Sequence, residues 1–337
     1  MRTGPELVRA SNEYAKEDRA RTWRLLLVTF FYWGLSIAVA SMAPLWLAIP
    51  ATILSGLLMV RVFIFYHDHL HTAVLVGSKV GGLIMRFFGY YILAGPSVWR
   101  ESHDYHHKHT AKMVGASIGS YPVVTVAMWH EMKPMQRFGY RFVRNPLTMC
   151  FGYVFMFVIG MCLSPFRRQP KQHLDGLLSL LFHWSVVGGA WALWGWQAAI
   201  LGFLMPVVIS TAAGSYLFYA QHNFPGMQIK GRREWEYTFA ALHSSSMFDM
   251  PALMHWFTGN IGYHHVHHLN HRIAFYRLPE AMAGMPELQN PHRTTWNPRD
   301  VWICLKDNVW DPGQGRMVSY AEADRAQPAP AEPAAAQ

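Results

Sequence analysis

From Leu25 to Tyr66 apolar residues follow one another with Arg61 as the only charge. A bilayer crossing takes about 20 residues at about 1.5 Å each. The stretch therefore predicts two crossing helices, turned around in Ser41 to Pro50, where prolines stand at 44 and 50. A second apolar block, Leu174 to Tyr219, is broken only at the uncharged Trp194-Gly-Trp-Gln197, which predicts another hairpin. Two shorter runs, Leu83 to Val98 and Leu147 to Leu163, fall below the ~18 residues expected of a span. The latter is bracketed by Arg137, Arg141 and Arg144 before it and Arg167, Arg168 and Lys171 after it. Positive charge at both ends holds both on the cytoplasmic side, so these runs predict interfacial or re-entrant helices.

The pattern divides the chain into a cytosolic N-terminal segment (1–24), hairpin one (25–66), a cytosolic or interfacial region (67–173), hairpin two (174–219), a cytosolic region (220–312) and a tail (313–337). The predicted fold is an all-α, multi-pass integral membrane protein with four transmembrane helices, interfacial helices and a cytosolic helical domain. Asn297 to Trp310 predicts one amphipathic helix with an Asn cap. The tail, rich in Ala, Pro, Glu and Gln, is predicted to be disordered. The N-terminal segment is long, mixed in charge and lacks a small-residue cleavage site, so it does not read as a signal peptide.

Composition agrees with this picture. Of 337 residues 52% are hydrophobic and 15% charged, against about 25% charged in soluble domains. Lys and Arg (29) exceed Asp and Glu (20), but they sit in short groups beside apolar segments, as topological charge does, and no nucleic-acid partner is expected. Cys150, Cys162 and Cys304 are too scattered for a disulfide framework or an iron-sulfur centre. Electrons for any redox chemistry are therefore expected from a separate protein.

Histidine changes the picture most. His67 and His71 are four apart; His103, His106 and His107, and His264, His267 and His268, repeat the positions i, i+3 and i+4. Such residues share a helix face, so eight imidazoles can address a common centre. Neutral imidazoles crowd cations without the mutual repulsion of carboxylates. Eight are too many for one ion, which implies two metals. Nitrogen donors suit iron, copper and zinc alike; an open two-metal site beside a membrane favours iron and oxygen activation. All clusters must meet on one side, and two complete hairpins return the chain to that side.

His67-Asp-His-Leu-His71, Trp99-Arg-Glu-Ser-His103-Asp-Tyr-His106-His107, Gln221-His222-Asn-Phe and Trp256-Phe-Thr-Gly-Asn-Ile-Gly-Tyr-His264-His-Val-His267-His268 together closely resemble the membrane fatty acid desaturases, in particular their acyl-lipid branch, over roughly Tyr66 to Leu278. The resemblance implies two non-haem iron ions (Fe2+) on the cytoplasmic face of a four-span helical body. Their ligands would be His67, His71, His103, His106, His107, His264, His267 and His268, with His222 as a ninth. It also implies O2 as co-substrate, a membrane lipid or fatty acyl substrate, formation of a cis double bond, and a ferredoxin or cytochrome b5-like electron donor.

Around these ligands, Asp68, Asp104 and Glu101 are placed either to orient ligand rings through the far ring nitrogen or on ordinary solvated faces. Asn260 stands either beside the third cluster or simply in a turn. Phe87, Phe88, Tyr90, Tyr91 and Trp99 either line an acyl tunnel or serve as core and interface residues. His69, His109, His265 and His271 fall off the metal-facing spacing, and His130, His173, His183, His243, His255 and His292 lie outside the motifs. Two rival functions are a di-iron hydroxylase, ketolase or alkane monooxygenase, and a non-enzymatic membrane metal transporter, whose sites lie near the bilayer midplane.

Overall fold

The computed structural model describes residues 1–113, 120–231 and 233–326. It is mostly helical, and three of its helices are long and apolar enough to cross a membrane: Arg19–Met42, Leu45–Leu70 and Leu174–Gln221. The first starts at Asp18, whose carboxylate accepts the Arg21 N–H at 2.9 Å, satisfying a donor left orphaned at a helix N-terminus. Pro44 separates the first from the second. The third is interrupted at Gly195, whose φ of 83° and ψ of −177° suit a residue without Cβ. There the chain folds back, stacking Trp194 on Phe203 at 6.3 Å and packing Val187 and Ala190 against Ala199.

Arg61, buried in the second helix, ties this body to the region ahead of the third histidine cluster. Its Nε donates to Thr29 Oγ1 at 3.2 Å, its Nη1 donates to the Trp256 carbonyl, and its guanidinium lies 4.3 Å from the centre of a Trp256 ring. Neutral oxygens and an aromatic face thus solvate a cation that has left water.

The shorter apolar runs fold against the long helices. Lys79–Tyr91 packs Phe88 on Trp33 and Tyr66, and a Cβ on Gly89 would stand 2.7 Å from the Tyr66 ring, so this approach requires glycine. Tyr153–Leu163 is a π-helical stretch between Pro146–Cys150 and Ser164–Arg168.

Three expectations are corrected here. The region beyond the hairpins is not purely helical: Met247–Phe248 pairs in parallel with Arg293–Thr294, and Asp307–Asp311 pairs antiparallel with Arg316–Ser319. The amphipathic helix ends early, at Pro298–Lys306. Asn308 is the reason, because its side chain accepts from Arg144 Nε at 3.0 Å and Tyr219 Oη at 2.9 Å while donating to the Leu305 and Lys306 carbonyls. Those fixed partners turn the following residues into a strand, and the Trp310 N–H continues the pairing to the Val124 carbonyl. Lastly, part of the tail is ordered, since residues 316–319 form a strand and Tyr320–Arg325 a helix. Residues 327–337 lie outside the described ones.

Tyr320–Arg325 is held by a capping box: the Glu322 carboxylate accepts from the Ser319 N–H at 2.9 Å and hydroxyl at 2.7 Å, and pairs with Arg316 at 3.1 Å. The Ser319 bonds, then Arg316, pull the Glu322 carboxyl down to about 2. A depressed carboxyl stabilises the fold above its unfolded value of about 4.3 and loses that contribution as pH falls toward the folded value. Acidification from pH 5 to 2 is therefore expected to lower the amide protection of residues 320–325 relative to the unstructured rate at each pH, and Glu322→Gln should show the lowered protection already at pH 7.

Candidate metal centre

Each histidine cluster stands at a helix end or on a short helix. His67 and His71 close Leu45–Leu70, His103 to His107 occupy the last turns of Pro96–His109, and His264 to His268 form His264–Leu269. His222 follows Gln221 at the end of the returning leg.

The structure brings these nine imidazoles together in two sets. His67, His71, His103, His107 and His267 form one, and His106, His222, His264 and His268 the other; within each set one donor atom per residue lies within 4.8 Å of every other. In the first, Nε2 of His103 is 2.9 Å from Nε2 of His67 and 3.2 Å from that of His107, which is 3.1 Å from Nε2 of His267. In the second, Nε2 of His222 is 3.0 Å from that of His106 and 2.9 Å from that of His264, which is 3.1 Å from Nε2 of His268.

These separations test what the sets can hold. With metal–nitrogen bonds of about 2.1 Å, neighbouring donors stand about 3.0 Å apart around an octahedron and about 3.4 Å apart around a tetrahedron. The observed values fit the octahedral edge. Protonation points the same way. Nδ1 of His67 lies 2.9 Å from Asp68 Oδ1, and Nδ1 of His222 lies 3.1 Å from the Ser244 carbonyl. Such partners place the proton on Nδ1 and leave Nε2 with a bare lone pair. Bare lone pairs facing one another repel unless a cation lies between them.

Burial, followed by the crowding of other imidazoles, lowers the proton affinity of His71, His103, His107, His264, His267 and His268 well below that of free histidine. His106 is lowered likewise, and burial brings His222 down to about 4. Neutral rings at pH 7 are what metal ligation requires.

The surroundings choose among the alternatives that the sequence leaves open. Asp68 is buried against His67, and its second oxygen accepts the Phe275 N–H at 2.7 Å. Asp104 is half-exposed, and its influence falls on His271. Glu101 pairs with Gln172 and His173. Asn260 is a turn residue with φ of 54°, and it reaches the site only indirectly, donating to the carbonyl of the Phe275 whose N–H holds Asp68. Of the aromatics, Phe88 and Tyr91 are core, Phe87 and Tyr90 meet Phe182, and Trp99 stacks on His103 at 4.9 Å.

Sequence reasoning missed Ser120, whose hydroxyl lies 2.5 Å from His106 Nδ1, because no local pattern links it to the cluster. It also set aside His271, whose ring centre is 4.7 Å from that of His71 and 5.2 Å from that of His107. Helix His264–Leu269 has ended by then, so helical spacing no longer tells where that ring points. The other off-spacing histidines bond to carbonyls: His69 to Val74, His109 to Tyr105 and His265 to Leu288. A cavity of about 300 Å3 opens against His106 and His222, walled by Phe218, Met227, Ile229 and Trp310, with Arg144 at its edge.

Comparison with known proteins identifies the family. The profile of the family described as "Fatty acid desaturase" matches residues 44–300. The chain is 27% identical over 275 residues to a "Fatty acid desaturase" of Bacillus subtilis (strain 168), covering 81% of this chain and 78% of the relative. It is 24% identical over 317 residues to an "sn-1 acyl-lipid omega-3 desaturase (ferredoxin)" of Nostoc sp. (strain 36), covering 87% and 83%. It is 21% identical over 309 residues to an "sn-1 oleoyl-lipid 12-desaturase" of Anabaena variabilis, covering 85% and 83%. With membrane-length apolar helices, two buried histidine sets and a profile match across most of its length, this chain belongs to the fatty acid desaturase family.

Proposed function

We propose that the protein is an acyl-lipid desaturase that uses O2 and two iron ions to convert a methylene pair of an acyl chain into a cis double bond. The observation that carries this reading is the division of nine imidazoles, eight buried and His222 half-buried, into adjoining sets of five and four whose nearest donors stand at octahedral-edge distances. Bound there, two iron ions would supply the reduction of dioxygen and the oxidation of an unactivated C–H bond. Zinc fits less well, since its structural sites close with four donors in a tetrahedron.

The chain's own residues supply position and dryness. Asp68 and the Ser244 carbonyl hold ring protons away from the metal side, as ligand histidines require. The cavity beside His106 and His222 is apolar along most of its wall and within the volume range of small-molecule sites. In this reading it receives the acyl segment, and Phe218, in ring contact with both His106 and His222, keeps water from the donors.

The topology we favour has four crossings: Arg19–Met42, Leu45–Leu70 and the two legs of Leu174–Gln221 on either side of Gly195. Ends carrying His71 and His222 then emerge on one side, and the arginines and lysines flanking the apolar runs make that side cytoplasmic. The electron donor would be a ferredoxin or cytochrome b5-like protein; the Nostoc relative carries ferredoxin in its name.

Fatty acid profiling of cells expressing the chain, with metal analysis of the purified protein, tests the proposal. New cis-unsaturated acyl chains and about two irons per chain are expected. Hydroxylated lipid without new unsaturation would replace the desaturase by a hydroxylase, and a metal-bound protein that alters no lipid would favour transport.

A further inference from the structure

Two basic stretches, Arg137 to Arg144 and Lys230 to Arg233, do not have the same fate. Arg137 and Arg141 face Asp324 at 3.6 and 3.9 Å and lie over Trp129. Arg144 is buried, spending its donors on Asn308, Pro122, Tyr219 and Asn223. Little free charge remains there. The segment Lys230-Gly-Arg-Arg-Glu-Trp-Glu236 is different. Lys230 pairs through its backbone with the strand-like stretch at Lys112, its Nζ stands 5.2 Å from the Phe239 ring centre, and Lys112 Nζ stands 5.3 Å from the ring centre of half-buried Trp235. Arg233 is exposed, and of the two carboxylates Glu236 is engaged in capping Tyr237–His243.

Behind this face lies a short bonded route to the second histidine set. The Trp235 indole N–H donates to the Thr110 carbonyl at 2.8 Å. Thr110 Oγ1 donates to the His106 carbonyl at 2.7 Å and lies 3.5 Å from Nδ1 of His268. Tyr237 Oη donates to the His268 carbonyl at 2.6 Å. Electronic coupling through bonded contacts exceeds coupling through an empty gap of the same length.

We propose that the face formed by Lys112, Lys230 and Arg233 docks a small acidic one-electron carrier protein, and that Trp235, half-buried beneath Lys112, and Thr110 conduct its electron to the His106/His268 side of the centre. The inference rests on the desaturase reading above. In each turnover two reduced carriers give one electron each. These, two protons and two substrate hydrogens convert one O2 into two waters while the acyl C–C bond becomes a double bond. A lipid headgroup would match the charge but has no use for an indole bonded to the segment that carries the ligands, so the carrier is the occupant.

The test uses purified, iron-loaded full-length protein in detergent with a plant-type [2Fe–2S] ferredoxin as probe. Lys112→Glu/Lys230→Glu is expected to weaken ferredoxin binding by about tenfold or more at low ionic strength, an effect that added salt removes. Arg137→Glu/Arg141→Glu should bind as the parent does. Trp235→Leu should keep its affinity yet slow anaerobic oxidation of reduced ferredoxin, followed by its visible absorbance, by about tenfold; Trp235→Phe shows whether the N–H itself matters. Iron content and melting temperature equal to the parent's confirm that each variant is folded. Unchanged ferredoxin affinity in the lysine variant, loss of binding to anionic vesicles in its place, or parental electron entry in Trp235→Leu overturns the proposal. A parent chain that binds no iron and makes no double bond with any donor instead overturns the functional reading.

Discussion

Replacing His107 by alanine is expected to abolish desaturation and to lower bound iron from about two ions per chain to about one. His107 Nε2 stands 3.2 Å from that of His103 and 3.1 Å from that of His267, so it joins two clusters within the five-histidine set. Its loss removes a donor and leaves a buried gap. Replacing even a residue that only supports a ligand costs about 10- to 100-fold in metal affinity or activity, and a lost ligand should exceed the upper figure. Metal analysis and lipid profiling of one preparation measure both effects. His109→Asn is the control: His109 lies two residues on and stacks on Tyr105 away from the sets, and its variant should keep both irons. A His107→Ala protein with parental activity would remove His107 from the ligands.

Asp68→Asn is expected to produce the next largest loss, about 10- to 100-fold in iron affinity, with the protein still folded. The two Asp68 oxygens do different things: Oδ1 faces Nδ1 of His67 at 2.9 Å, and Oδ2 accepts the Phe275 N–H at 2.7 Å. Asparagine matches the shape but has one acceptor and one donor group. Either its NH2 meets the His67 proton, driving that proton to Nε2 where the metal should bind, or it meets the Phe275 N–H and orphans it, at about 1–3 kcal/mol. Iron titration with an apparent melting curve separates the two outcomes. Unchanged affinity would mean that Asp68 only packs.

Much of this was legible because helices and hairpins are local. The apolar blocks announce their lengths, Gly195 falls inside an uncharged break, and histidines four apart mark helix faces. Asn308 could not be read this way: its partners Arg144 and Tyr219 lie far away in the chain, and they convert an amphipathic pattern into a strand. Ser319 and Glu322 form a local capping box that the low-complexity composition around it hid.

The partition of the histidines separates the two levels most sharply. All three imidazoles of a cluster were expected to face one centre. At about 100° per residue, positions i and i+4 differ by about 40°, while i and i+3 diverge by about 60° to the other side. The i, i+4 pairs do stay together: His67 with His71, His103 with His107, and His264 with His268. The middle residues, His106 and His267, cross over to complete the opposite sets. By itself the sequence determined which imidazoles are available, in what pairs and beside which apolar helices, because those follow from backbone periodicity. Only the tertiary structure decided which pairs share a set, that His222 completes the smaller one, and that Asp68, Ser120 and Ser244 hold the rings, because these depend on how helices distant in the chain are rotated against one another.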